Sequence, residues 1–184
     1  MTISKLSTQN SKIGFKKFIQ NSASFELSNI IKIILMIHSF FMINRQGKIR
    51  LTKWYSQNLS NQERQKFIKE INHIVLTRNT KACNFLEWND FKIVYKRYAS
   101  LYFVTIVDKE DNELMILELI HYVVEVLDKY FNNVCELDLI FNFHKVYYIL
   151  DEILMAGHIQ ETSKNVVLKS VHGQESLIEN SKSK

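Results

Sequence analysis

Met36-Ile37-His38-Ser39-Phe40-Phe41-Met42-Ile43, then Asn44-Arg45-Gln46-Gly47, then Lys48-Ile49-Arg50-Leu51-Thr52-Lys53-Trp54-Tyr55: this run decides the fold. The first eight residues are short, largely apolar and bounded by polar residues, so they read as a buried strand. The four residues that follow, ending in glycine, spell a hairpin loop. Lys48 to Tyr55 alternates, with Ile49 and Leu51 set against Lys48, Arg50 and Thr52, the pattern of a half-exposed second strand.

Downstream, Ser60-Asn61-Gln62-Glu63 is a capping box. It predicts a helix with Phe67, Ile71, Ile74 and Arg78 on one stripe, widened by Ile68 and Val75. Three short strands are expected next, over 84–88, 91–97 and 101–107. Their turns fall at Trp88-Asn89-Asp90 and Tyr98-Ala99-Ser100. Asp111-Asn112 predicts the cap of a second helix carrying Leu114, Leu117, Ile120, Val124, Leu127 and Phe131. Asn132-Asn133 ends it, because asparagine tolerates the left-handed conformation. A third helical stretch is expected from about 136 to 156, stopping at Gly157, and Thr162 or Ser163 caps a last short helix. The order β-β-α-β-β-β-α-α, hairpins followed by helices, points to an α+β fold with helices packed on an antiparallel sheet.

Upstream, the chain is polar and basic. Residues 1–35 carry Lys5, Lys12, Lys16, Lys17 and Lys32 against Glu26 alone, so they hold +4 of the chain's formal charge of +5. A nearly neutral body behind a basic leader is not the stripe that phosphate binding requires, and no nucleic-acid partner is expected. Ile30 to Ile43 faintly resembles a signal peptide, but Lys32 and His38 interrupt it and it is too short to span a bilayer. The expected organisation is an N-terminal extension over 1–35, either without order or the product of an over-extended gene model. A single domain follows over 36–169, with a polar tail over 170–184.

No constellation suited to catalysis is visible. The six histidines show neither H-x-x-x-H nor H-x-H spacing. Asp108 to Glu113 lacks the central glycine and the aspartate ladder of a calcium loop. Cys83 and Cys135 lie far apart and read as buried free thiols of a reducing compartment. No enzyme activity, metal or cofactor is therefore expected.

Four stretches carry a resemblance: Asn44 to Tyr55, Asn84 to Phe103, Asp111 to Phe143 and Lys145 to Ser163. All four, in this order, resemble the small (sigma) chain of clathrin adaptor complexes. Trp54 resembles the trans-Golgi/endosomal or the plasma-membrane branch, while Glu87-Trp88 and Ala99-Ser100-Leu101 resemble the trans-Golgi/endosomal one; Phe and Gly in place of Trp88 and Ser100 would mark the plasma-membrane branch. Ser39 departs from the family, standing where an apolar strand residue is usual.

The resemblance implies a longin-like fold, a five-stranded antiparallel sheet flanked by helices. It implies a heterotetramer with two large chains, chiefly the gamma type, and a medium chain. Clathrin and an Arf-family GTPase would be reached through the complex, on the cytoplasmic side of trans-Golgi, endosomal and coated-vesicle membranes. It also implies a pocket for acidic-x-x-x-Leu-Leu/Ile signals in cargo tails, built from Ala99, Leu101, Val124, Val134, Leu137 and Leu139. Asn133 would lie beside the peptide backbone and Arg50 opposite the acidic residue, with Lys48 and Lys53 near it. Two leucines need an apolar pocket, each worth about 1.5–3 kcal/mol when fully buried. Val124 and Leu139, at helical spacing, read equally well as core. A second reading is a longin-type regulator of membrane fusion or tethering, which would carry a fusion helix or lipid anchor after the domain.

Overall fold

β1 (Ile37–Asn44) is buried along almost its whole length, as an apolar run demands when both faces of a strand are covered. In the computed structural model of the chain, which describes residues 36–56, 59–79 and 81–182, it lies between β2 (Ile49–Trp54) and β5 (Leu101–Asp108). With β3 (Phe85–Trp88) and β4 (Phe91–Tyr98) these make a five-stranded sheet in the order β2-β1-β5-β4-β3. Every neighbouring pair is antiparallel. The leader lies outside the described residues.

One face of the sheet is covered by α1 (Asn61–Thr77). The capping box starts this helix: the Glu63 N–H donates to Ser60 Oγ at 3.4 Å, and the Ser60 N–H donates to Glu63 Oε2 at 2.8 Å. Ile71 and Val75 sink against Phe41, Ile43, Ile93, Tyr95, Val104 and Ile106. Phe41, Trp54, Phe67 and Trp88 form an edge-on aromatic chain with centroids 5.2, 5.5 and 4.8 Å apart, a favoured ring geometry. Trp88 also donates its indole N–H to Glu70 at 3.0 Å, so it ties α1 to the sheet.

The other face carries α2 (Glu113–Phe131), α3 (Glu136–Phe141), α4 (Phe143–Ile153) and α5 (Lys164–Lys182), which share a core with Phe40, Met42, Leu51, Val94, Leu101, Phe103 and Val107. Asn112 caps α2 as expected, accepting from the N–H groups of Leu114 and Met115. The buried face of α2 is broader than the predicted stripe. Ile116, Leu119, Ile120, Val123, Val124, Val126 and Leu127 are buried, because the helix packs on the sheet and also on α4 and α5. Leu114, expected on that stripe, is 69% exposed.

Three expectations are corrected. The helix predicted over 136–156 is two helices, broken at Asn142 (φ −115°, ψ 33°), and α4 ends at Ile153. The chain then forms a small hairpin, β6 (Leu154–Met155) and β7 (His158–Ile159), whose turn residues Ala156 and Gly157 both have positive φ, as a two-residue hairpin turn demands. Gly157 accepts from the Ile37 N–H at 2.9 Å, and a Cβ built on it would lie 2.4 Å from the Ile37 carbonyl oxygen. The boundary drawn at 169 falls inside α5, and the predicted tail over 170–184 is helical to Lys182. Val171 is buried, and Glu175 bonds Tyr130 and Lys145. Polar composition concealed a helix that buries Val171 and pairs Glu175, while Leu177 and Ile178 stay exposed. Cys83 and Cys135 are exposed rather than buried, because both sit in connections between elements. Ser39 is fully buried and its Oγ has no partner among the described residues.

Candidate functional site

A cavity of about 420 Å³ opens where α2 ends, bounded by the β4–β5 turn and by α3. Its floor and walls come from Leu101, Phe103, Val124, Val134 and Leu139, with Tyr98 and Ala99 at one side. That size lies within the ~300–1,000 Å³ common for ligand pockets. Ala99 sits at the tight turn between the paired residues Tyr98 and Leu101, at φ 51°, a conformation that lets the two strands twist together. Asn132 and Asn133 follow α2 at φ 53° and 76°. Their amides both donate to the Asp128 carbonyl, and the Val134 N–H donates to Asp128 Oδ1 at 3.2 Å. This double left-handed step turns the chain sharply and delivers Val134 and Cys135 to the cavity.

Of the eight residues expected at this site, Ala99, Leu101, Val124, Asn133, Val134 and Leu139 line the cavity. Val124 and Leu139 are 4% and 1% exposed, so each is a core residue that also forms pocket wall. Leu137 departs from the expectation: it is 59% exposed and does not line the cavity. On the short α3, Glu136 and Leu139 are three apart and share the cavity side. Leu137 instead shares the outside with Ile140, Phe141 and Phe143, all exposed.

Arg50 does not line the cavity, but it is tied to a residue that does. Its Nε donates to Glu136 Oε1 at 2.7 Å, and Nη2 lies 2.7 Å from the same oxygen in an ion pair. The pairing of β1 with β2 jumps from Met42↔Leu51 to Ile43↔Ile49, so Arg50 is the extra residue of a β-bulge. Bulges re-aim a side chain out of the regular alternation, and here the arginine turns to α3. Glu136 also accepts from Asn44 Nδ2 at 3.1 Å and Ser100 Oγ at 3.3 Å. Burial pushes the Glu136 carboxyl up, but the hydrogen bonds from Arg50, Asn44 and Ser100 and the arginine's charge outweigh it, and the group stays below the ordinary range. Asn44 meanwhile holds the hairpin loop, its Oδ1 accepting from the Gln46 and Lys48 N–H groups at 3.0 and 2.9 Å.

Lys48, expected near Arg50, is exposed. Lys53 is engaged elsewhere, by Asp151 on α4 and by the rings of Tyr55 and Tyr147; burial lowers its ammonium pKa. Sequence reasoning missed Glu136, Ser100, Tyr98, Phe103 and Cys135 at the site. No local signal marks them, since each arrives by packing of distant segments. Among the described residues no group of His, Cys, Asp or Glu is placed to hold a metal ion, and no helix is long and apolar enough to cross a membrane.

The family model for the clathrin adaptor complex small chain matches residues 36–177. AP-1 complex subunit sigma-2 of Dictyostelium discoideum is 59% identical over 145 residues, covering 79% of this chain and 94% of that protein. AP-1 complex subunit sigma-1A of Homo sapiens is 54% identical over 148 residues, covering 80% and 93%. A chain of the structure described as "Homology model of the full-length AP-3 complex in a stretched open conformation" superposes with a TM-score of 0.62 at 34% identity, covering 80% of this chain and 98% of that one.

Proposed function

This chain belongs to the clathrin adaptor small-chain family, and from that premise we propose that it is the small subunit of a heterotetrameric adaptor of trans-Golgi and endosomal coats, whose cavity receives the two leucines of an acidic dileucine signal. The observation that carries the cavity's role is the pairing of an apolar pocket of two-leucine scale with an arginine anchored at its rim. Leu101, Val124, Val134 and Leu139 offer apolar wall, Asn133 offers amide hydrogen bonds to an extended peptide, and Arg50 offers a cation for the acidic residue. Ordering a flexible tail consumes most of the burial gain, so micromolar affinity is expected.

Leu137, Ile140, Phe141 and Phe143 form an exposed apolar patch of the kind that marks a protein interface. We assign this patch to a large chain of the complex, the gamma type by the chain's likeness to the AP-1 sigma subunits. The medium chain, clathrin and an Arf-family GTPase are reached through the assembled complex. Membrane association is peripheral, on the cytoplasmic side of trans-Golgi, endosomal and coated-vesicle membranes. The residues serve binding and not catalysis.

Calorimetry with the assembled complex tests the cavity's role. A peptide carrying acidic-x-x-x-Leu-Leu binds at micromolar concentration, and its double Leu→Ala variant does not. Cys135 lines the cavity and Cys83 lies outside it, and both are exposed. Maleimide labelling of Cys135 therefore slows when the peptide is present, while labelling of Cys83 does not. Peptide binding with equal labelling of Cys135 would move the signal to another surface.

A further inference from the structure

Arg50 meets an internal carboxylate. Its Nε and Nη2 converge on Glu136 Oε1, both at 2.7 Å, and the two side chains are only 22% and 24% exposed. Glu136 does not hang loose. Asn44, at the end of β1, and Ser100, in the β4–β5 turn, hold its two oxygens, so three segments of the fold fix one carboxylate at the cavity rim. The guanidinium has five N–H donors in a planar fork. Its inner edge goes to Glu136, and among the described residues no other carboxylate reaches it. The remaining N–H groups on Nη1 and Nη2 are the ones a ligand carboxylate would use.

From this arrangement, and resting on the cavity reading above, we infer that Glu136 is a specificity-determining residue: a resident carboxylate that occupies one edge of Arg50 and lowers the value of an acidic residue in the bound signal. Two effects act together. Glu136 neutralises the arginine before any ligand arrives, and its own charge repels a second carboxylate docking on the other edge. Glu136 also supports the arginine's position, but the bulge of β2 contributes to that support and carries no charge. The signal's acid therefore selects among tails more than it strengthens binding, as expected of rim charges. Loss of the Glu136 charge at constant shape makes the site depend more strongly on that acid.

Glu136→Gln is the isosteric test. Its amide oxygen still accepts from Arg50 and Asn44, and its NH2 can donate to Ser100 Oγ, so the rim keeps its hydrogen bonds and loses one negative charge. Two peptides are titrated into the assembled adaptor complex, one with the acidic residue and one with alanine in its place. Glu136→Gln raises the preference for the acidic peptide over the alanine peptide by about three- to tenfold, a range set by a single charge acting across a partly solvated rim. An unchanged or reduced preference for the acid overturns the inference and makes Glu136 a structural support alone. The wild-type complex gives a second measure that needs no variant. It loses less than about tenfold when the peptide's acid becomes alanine, and a larger loss also overturns the inference. Failure of the wild-type complex to bind either peptide is a different result, which removes the cavity reading itself.

Discussion

The two faces of the sheet are closed in different ways. On one face a single helix, α1, lies across the strands, and the aromatic chain from Phe41 to Trp88 fills the gap between them. On the other face α2, α3, α4 and α5 share the cover. A cover of several pieces has seams where the chain must turn, and a seam opens where α2 stops and α3 begins. The left-handed pair Asn132 and Asn133 sets that seam, and the cavity lies in it. Val124 and Leu139 show the consequence: they belong to the core and also face the opening. A closed face supplies stability alone; a segmented face supplies stability and a place to bind.

The sharpest way to break this contrast is to bury a charge on each face. Ile71→Asp, on the buried side of α1, puts a carboxylate among apolar side chains with no cation among the described core residues to pair it, and the subunit fails to fold or assemble. Val124→Asp puts the same charge on a cavity wall, where water can reach it. The complex then assembles but loses dileucine-peptide binding by more than tenfold. Co-purification with the large chain and calorimetry separate the two. If both variants lose assembly, the cavity wall is core in the same sense as the α1 face.

Gly157 is expected to be the next most sensitive position, and it lies in neither layer. Gly157→Ala forces a Cβ against the Ile37 carbonyl at a positive φ, which costs about 2–4 kcal/mol in strain and displacement of the hairpin from β1. A melting temperature of the complex within a degree of wild type would show that β6–β7 is not held there.

Arg50→Gln probes the rim without touching the core. It weakens binding of the acidic peptide by about three- to tenfold and leaves assembly intact, because a partly exposed charge acts on selection more than on folding. A reversal to Glu is a poorer test, since it sets a second carboxylate against Glu136. Equal peptide affinity would remove Arg50 from the site.

The smallest expected effect sharpens the comparison from the core side. Ser39 buries a hydroxyl with no partner on a central strand. Ser39→Ala is expected to stabilise the subunit by about 1 kcal/mol, the scale of an unmet buried hydrogen-bonding group. A lower melting temperature of the complex would mean that the hydroxyl finds a partner.

Local chemistry in the sequence determined much of this molecule. The hairpin from Met36 to Tyr55, the capping box at Ser60 and Glu63, the Asn112 cap and the left-handed end of α2 were all readable, because each depends on residues within a few positions of one another. The strings shared with the adaptor small chains pointed to the family and to six residues of the cavity. Features that join distant segments were decided by the tertiary structure. The break at Asn142, and the packing of α5 beyond residue 169 through Val171 and Glu175, are not revealed by composition. Leu137 turned outward because α3 is short and its register against the sheet is set by Leu139. Arg50 looked like a solvated residue of an alternating strand. A bulge re-aimed it, and a glutamate 86 positions away met it at the rim of the cavity; alternation describes a regular strand, and no local rule places a bulge or its partner.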